Sequence, residues 1–206
     1  MNEYKIIAII GKAGSGKDTI LNEFFNRFEN KDLIHKIISY TTRPPREKEV
    51  AGKDYFFVSN EEFAEKVLNF EMLEATEFRD WHYGTGLGSL DENKVNIGVF
   101  NPEGAAILMD NPTVELYVME VRASGKERLM RQLNRESDPN VDEIIRRYGT
   151  DELDFDDLDI DTYIVFNENE KDFENCMNFL SGVVYTVRPR TNGEEGSCHH
   201  CQVNEG

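Results

Sequence analysis

Apolar residues run along this chain in two alternating rhythms. Near the N-terminus KIIAII is a continuous apolar run, the pattern of a strand buried on both faces. From Gly16 to Phe28 the interval changes, and Ile20, Leu21, Phe24, Phe25 and Phe28 fall on one side of a helix. HKIIS reads as a short second strand. NEEFAEKVL reads as a helix opened by an Asn cap with Glu in its first turn. VNIGVF and VELYVMEV predict strands, with the helix NPEGAAILM between them. KERLMRQLNRESDPNVDEIIRRYG predicts two helices hinged between Asp138 and Pro139, TYIVFN a last strand, and EKDFENCMNFL a last helix, with GVVYTVRPR adding a further strand. Strand and helix in alternation predict an α/β fold with a mostly parallel sheet covered by helices.

Three stretches break the rhythm. SYTTRPPREKEVAGKDYFFV carries Pro44, Pro45 and Gly52 and predicts an inserted arm of turns and short strands. DELDFDDLDID is densely acidic and reads as a solvated loop. The terminal TNGEEGSCHHCQVNEG has loop composition, so residues 189–206 are expected to be a disordered tail. The tail carries a CHHC run at 198–201. Four consecutive ligands cannot close one tetrahedral site without strain, which predicts adventitious metal binding at most.

Composition narrows the function. The length of 206 residues predicts one domain, and 39% apolar content with 13 Phe is enough to bury a core. A formal charge of −17 argues against nonspecific nucleic-acid binding, which needs a basic surface. It leaves room for a small anionic substrate held by a local cluster of Arg. The three cysteines, Cys176, Cys198 and Cys201, are too few for a disulfide scaffold and point to a reducing cytoplasm, with Cys176 in the core. The N-terminal apolar run is too short for a membrane span and lacks a basic flank. Neither nucleic acid nor membrane is therefore an expected partner, and the chain is expected to be a monomer or homodimer.

The chemistry begins at GKAGSGKDTI, residues 11–20. Gly11, Gly16 and Lys17 fit the spacing G-x-x-x-x-G-K, between a strand and a helix, as a phosphate-binding loop requires. In such a loop Ala13, Gly14, Ser15 and Gly16 turn backbone N–H groups toward phosphate oxygens, the helix start adds partial positive charge, and Lys17 bridges the phosphates. Asp18 stands where Ser or Thr usually supplies a hydroxyl to Mg²⁺, and Thr19 follows one place later. Asp18 and Thr19 are thus the candidate metal residues, acting through water. In the arm, Arg43 and Arg46 can form a fork for a dianionic phosphate, with Tyr55 as a phenolic donor.

The arm resembles the guanylate kinase family. Ser39, Thr41, Thr42, Arg43, Pro45, Arg46, Gly52, Asp54, Tyr55, Phe57 and Val58 stand in register with the family's S-x-T-T-R-x-P-R and G-x-D-Y-x-F-V segments. Further on, Glu74, Tyr83, Gly84 and Thr85 match a glutamate followed by Tyr-Gly-Thr/Ser. The resemblance spans about residues 4–181. It implies a P-loop NTPase three-layer sandwich with an acceptor-binding arm at about 39–94 and a helical lid at about 131–149. The core is then 1–38, 95–130 and 150–188. It also implies that Glu74 accepts from the guanine N1–H and exocyclic amine, that Thr85 helps hold the base, and that Tyr83 reaches the acceptor phosphate. His82 is read as a turn residue without a role. In the lid, Arg131 would lie near adenine with Asn167, while Arg135 and Arg146 would reach the transferring phosphoryl group. Within the lid, Glu136 replaces the family's usual glycine.

One strand departs from the family. In GVFNPEG, Val99 and Asn101 take the positions of two aspartates, and Glu103 that of a glutamine. Asn101 can still accept a hydrogen bond but carries no charge. The implied activity is transfer of the ATP γ-phosphate to GMP or dGMP with Mg²⁺. Asp18 and Asn101 also keep open a kinase for another or modified deoxynucleoside monophosphate, such as a viral one, or a ribose 1,5-bisphosphate phosphokinase. A guanylate-kinase-like binding module is the non-enzyme alternative.

Overall fold

The computed structural model describes residues 4–47, 49–78, 80–135, 139–156 and 160–188. Glu136 and Asp138, residues 157–159 within the acidic run, and the tail at 189–206, with Cys198 and Cys201, lie outside them. In chain order the elements are β1 (Tyr4–Ile10), α1 (Lys17–Arg27), β2 (Ile34–Lys36), β3 (Tyr40–Thr41), β4 (Phe56–Phe57), α2 (Asn60–Leu68), β5 (Met72–Phe78) and β6 (Trp81–Gly86). They continue with β7 (Val95–Val99), α3 (Pro102–Met109), β8 (Val114–Arg122), α4 (Gly125–Leu133), α5 (Val141–Asp156), β9 (Tyr163–Phe166) and α6 (Glu170–Val187).

The central sheet has the order β2-β7-β1-β8-β9 with every pairing parallel. β1 is apolar and buried from Ile6 to Ile10 because both its faces are covered there. Ile7 and Ile9 pack with Phe24 of α1 and Cys176 and Leu180 of α6, whereas Ile6, Ala8 and Ile10 pack with Ala105 and Leu108 of α3. These are the layers of a three-layer α/β sandwich. The loops leaving β1 and β7 emerge side by side at the carboxyl edge, where open α/β sheets bind ligands. A second sheet, ordered β4-β3-β6-β5, forms the arm. It is held by the Tyr40–Phe56 contact, with ring centroids 4.9 Å apart, and by Phe63 of α2 against His82 at 5.3 Å. Among the described residues no helix is long and apolar enough to cross a membrane.

Four local expectations are corrected. The cap of α2 is Ser59, not Asn60: its hydroxyl accepts from the Glu62 N–H while Glu62 reaches back to the Ser59 N–H, closing a capping box. His82 is a strand residue of β6, not a turn. GVVYTVRPR does not form a strand, because α6 continues to Val187. Its buried residues Cys176, Leu180, Val184 and Val187 follow helical spacing, and that packing overrides the β-branched composition. The acidic run is not a solvated loop where it begins: residues 151–156 are the last turns of α5, and Asp151 is buried.

Candidate functional site

Gly14 has φ +80° and Gly16 φ +93°, a backbone region that side chains rarely enter. A Cβ on Gly14 would stand 2.4 Å from the Arg128 carbonyl oxygen, and one on Gly16 2.4 Å from Asn167 Nδ2. Glycine is required at both places because the loop is pressed against α4 and the end of β9. Asn167 Nδ2 donates to the Ser15 carbonyl at 2.8 Å. Arg131 donates to the same carbonyl at 3.2 Å and to the Asn167 carbonyl at 2.7 Å. Both residues therefore brace the loop backbone from behind.

In front of the loop lies one cleft. Its floor is Gly11, Ala13, Gly14, Lys17 and Asp18, and one wall is the arm, with Ser39, Arg43, Arg46, Tyr55 and Tyr83. Glu74, Thr76, Val99 and Asn101 close one end, and Arg135 and Arg146 stand on the lid side. Asp18 and Arg135 also line an adjoining cavity together with Thr19 and Lys36. The structure thus gathers most of the expected residues around one space. Arg131 and Asn167 lie behind the loop, Ser15 is buried within it, and Thr85 sits fully buried beside Glu74 in the arm sheet.

The arm's arginines are already engaged. Arg43 donates two parallel hydrogen bonds to Glu49, at 2.9 and 3.0 Å, and one to the Pro44 carbonyl at 2.7 Å. Glu49 also accepts from the Arg46 N–H at 2.8 Å, and its carboxylate lies 3.6 Å from Arg46 Nη1. Burial works against both charges. The mutual hydrogen bonds outweigh it, lifting Arg43 further above its usual range and holding Glu49 below its own. The Arg43 guanidinium lies 5.6 Å from the Tyr55 ring centroid, and Tyr55 meets Tyr83 edge-on at 6.2 Å. Burial raises the Tyr55 phenol well above its usual range, so it remains a neutral donor.

Glu74 is 6% exposed and faces Thr85 across the β5–β6 ladder. Burial pushes its carboxyl up to about 7, against the pull of Thr85 and with a small contribution from Glu103. Asn101 is the N-cap of α3, its Oδ1 accepting from the Gly104 N–H at 2.6 Å. Its Nδ2 donates to Thr76 Oγ1 at 2.8 Å. The acceptor atom expected of Asn101 is therefore occupied by the helix start.

On the lid side, Arg146 pairs with Glu143 at 2.7 and 2.9 Å while both line the cleft. Glu49, Thr76, Gln132, Arg128 and Asp151 carry no role in the sequence reading. Glu49 had a usable signal, an acid three residues after Arg46 and six after Arg43. Asp151 was hidden in the acidic run, and nothing in the local pattern separated Arg128 from its helix-surface neighbours.

A glycine-rich loop at the end of a central parallel strand faces arginines from the arm, from the end of α4 and from α5, an arrangement that suits a phosphotransferase. Comparison with known proteins gives the family. A sequence model described as guanylate kinase matches residues 3–184. The guanylate kinase of Chlamydia abortus is 31% identical over 176 residues, covering 82% of this chain and 84% of the relative. That of Geobacter metallireducens is 33% identical over 187 residues, covering 89% of each. The crystal structure of guanylate kinase from Anaplasma phagocytophilum superposes with a TM-score of 0.65 over 93% of this chain and 89% of that one; at 22% identity it shows the shared fold. This chain belongs to the guanylate kinase family.

Proposed function

We infer that this chain transfers the γ-phosphoryl group of ATP to GMP or dGMP, giving the nucleoside diphosphate and ADP. The observation that carries this reading is the single cleft in which the loop residues Gly11–Asp18, the arm pair Arg43 and Arg46, the buried Glu74 and the lid arginines face one another. An ionised Glu74 offers two acceptor oxygens, which suits the adjacent N1–H and amino donors of guanine. Arg43, Arg46, Tyr55 and Tyr83 hold the acceptor phosphate, whose oxygen is already anionic and attacks the γ-phosphorus directly. No general base is needed. Catalysis is positioning plus stabilisation of charge on the transferring group, with Lys17, Arg135 and Arg146 supplying the cations.

Mg²⁺ fits the donor set. Asp18 stands in the first turn of α1, next to Lys17, and opens into both the cleft and the adjoining cavity beside Thr19. One carboxylate and one hydroxyl suit a cation held mostly by phosphate oxygens and water. Bound there, Mg²⁺ would neutralise triphosphate charge. Asp18→Ala is expected to raise the Mg²⁺ concentration needed for half-maximal rate. We place the enzyme in the cytoplasm on its cysteine usage.

The decisive experiment is ADP release from ATP and Mg²⁺ across a panel of ribo- and deoxynucleoside monophosphates and ribose 1,5-bisphosphate. Release with GMP and dGMP above the others supports this reading. Preference for the sugar bisphosphate or another base redirects it, and no release with any acceptor points to a binding module.

A further inference from the structure

Ala13, at the tip of the donor loop, has the backbone groups on both sides of its Cα held by side chains from α4 and α5. Its N–H donates to Asp151 Oδ2 at 2.6 Å. Its carbonyl accepts from Arg128 Nε at 3.1 Å and Gln132 Nε2 at 3.5 Å. Arg128 and Asp151 are 4% and 6% exposed, so the arrangement is shielded from water. Arg128 Nη2 lies 3.7 Å from Asp151, Nη1 donates to Glu152 at 2.8 Å, and the guanidinium lies 4.6 Å from the Tyr148 ring centroid. Glu152 also pairs with Lys12 of the loop.

An N–H held by a carboxylate alone would resemble an amide occupied by a stand-in for phosphate. Here the carbonyl on the other side of the same Cα is held as well, by residues of a neighbouring helix. Two peptide planes fixed from both ends amount to a clamp on the loop's conformation. A glycine-rich loop ordered in advance loses less entropy when a ligand binds. Charge-assisted hydrogen bonds in a dry setting are strong enough to do the ordering.

We propose that Asp151, partnered by Arg128, is a positioning residue for the donor nucleotide: it clamps the Ala13 backbone so that the remaining loop amides stand preset for the triphosphate. This rests on ATP being the donor, which wild-type turnover tests separately.

The test compares full-length wild type, Asp151→Ala and Asp151→Asn for KM of ATP, KM of GMP, affinity for a non-hydrolysable ATP analogue, and Tm. Removing a charge-assisted hydrogen bond is expected to raise the ATP KM and analogue Kd of Asp151→Ala about 10-fold, with the GMP KM little changed. Asn keeps an acceptor oxygen for the Ala13 N–H and is expected to restore ATP binding to within about 3-fold of wild type. Should Asp151→Ala fail to fold, the Asn variant together with Gln132→Ala carries the test, the latter weakening ATP binding selectively. Tighter ATP binding in the variants would overturn the proposal in favour of a carboxylate that obstructs the site. Unchanged ATP binding, or a parallel rise in both KM values that tracks a lowered Tm, would overturn it in favour of a purely structural pair. Failure of Asn to rescue an impaired Asp151→Ala would do so too.

Discussion

Arg43 and Glu49 meet fork to fork, through two hydrogen bonds of 2.9 and 3.0 Å, inside the arm that would receive the acceptor phosphate. The pair holds the guanidinium plane in place beside Tyr55 before any ligand arrives. Arg43→Lys substitutes a point charge for the fork and cannot make both bonds. The expected result is an acceptor KM raised about 10-fold or more, with the KM for ATP unchanged. Steady-state kinetics with each substrate varied in turn checks it. An unaltered acceptor KM would remove the arm from phosphate binding.

Lys17 is the loop cation on the cleft floor. Lys17→Ala is expected to lower kcat by at least about 100-fold while leaving the circular dichroism spectrum unchanged. Normal turnover by this variant would sink the proposed activity.

The pH dependence follows from Glu74, whose carboxyl stands at about 7 instead of 4.5. Guanine needs the ionised form, so kcat/KM for GMP should climb as pH rises from about 6 to 8, and Glu74→Gln should lose that limb. The stability effect has the opposite sign. A folded carboxyl pKa raised above its unfolded value costs nothing below the unfolded value, and its cost grows as pH rises from 4.5 to about 7. Glu74→Gln should therefore melt higher than wild type at pH 8, by roughly 2 °C or more, and equally near pH 4. Paired melting curves at the two pH values decide this.

Asn101→Asp keeps an oxygen to cap α3 but loses the donor to Thr76 and adds a negative charge near Glu74. A like charge disfavours ionisation, so the limb in kcat/KM for GMP should move to higher pH by about half a unit or more. Asn101→Ala should instead cost about 1 kcal/mol of stability through the lost cap. A pH profile of the Asp variant coinciding with wild type would show that Asn101 and Glu74 are electrostatically independent.

Much of this protein was legible along the chain. The apolar run of β1, the helical spacing of Ile20, Leu21 and Phe24, and the glycine spacing of the loop are local patterns tied to local backbone requirements. They point to a buried strand, a packed helix and, where the loop joins a strand to a helix as here, a phosphate cradle. Proline and glycine likewise marked the arm as an interruption. The errors fell where local composition and tertiary packing disagreed. VVYTV is β-branched, yet Val184 and Val187 belong to the buried face of α6. The acidic run looked solvated, yet Asp151 is buried against the loop tip.

Sequence by itself determined the class of fold, the glycine-rich loop between β1 and α1, and the residue types that the arm and the helices α4 and α5 bring to the cleft, because each depends on spacing within one segment. Only the tertiary structure decided what those residues touch. Arg43 is joined to Glu49, Asn101 spends its oxygen on α3, Arg131 and Asn167 brace the loop from behind, and Ala13 is held by Asp151 from 138 residues away. Hydrogen-bond partners and burial arise between segments distant in sequence, and no periodicity within a segment records which other segment will cover it.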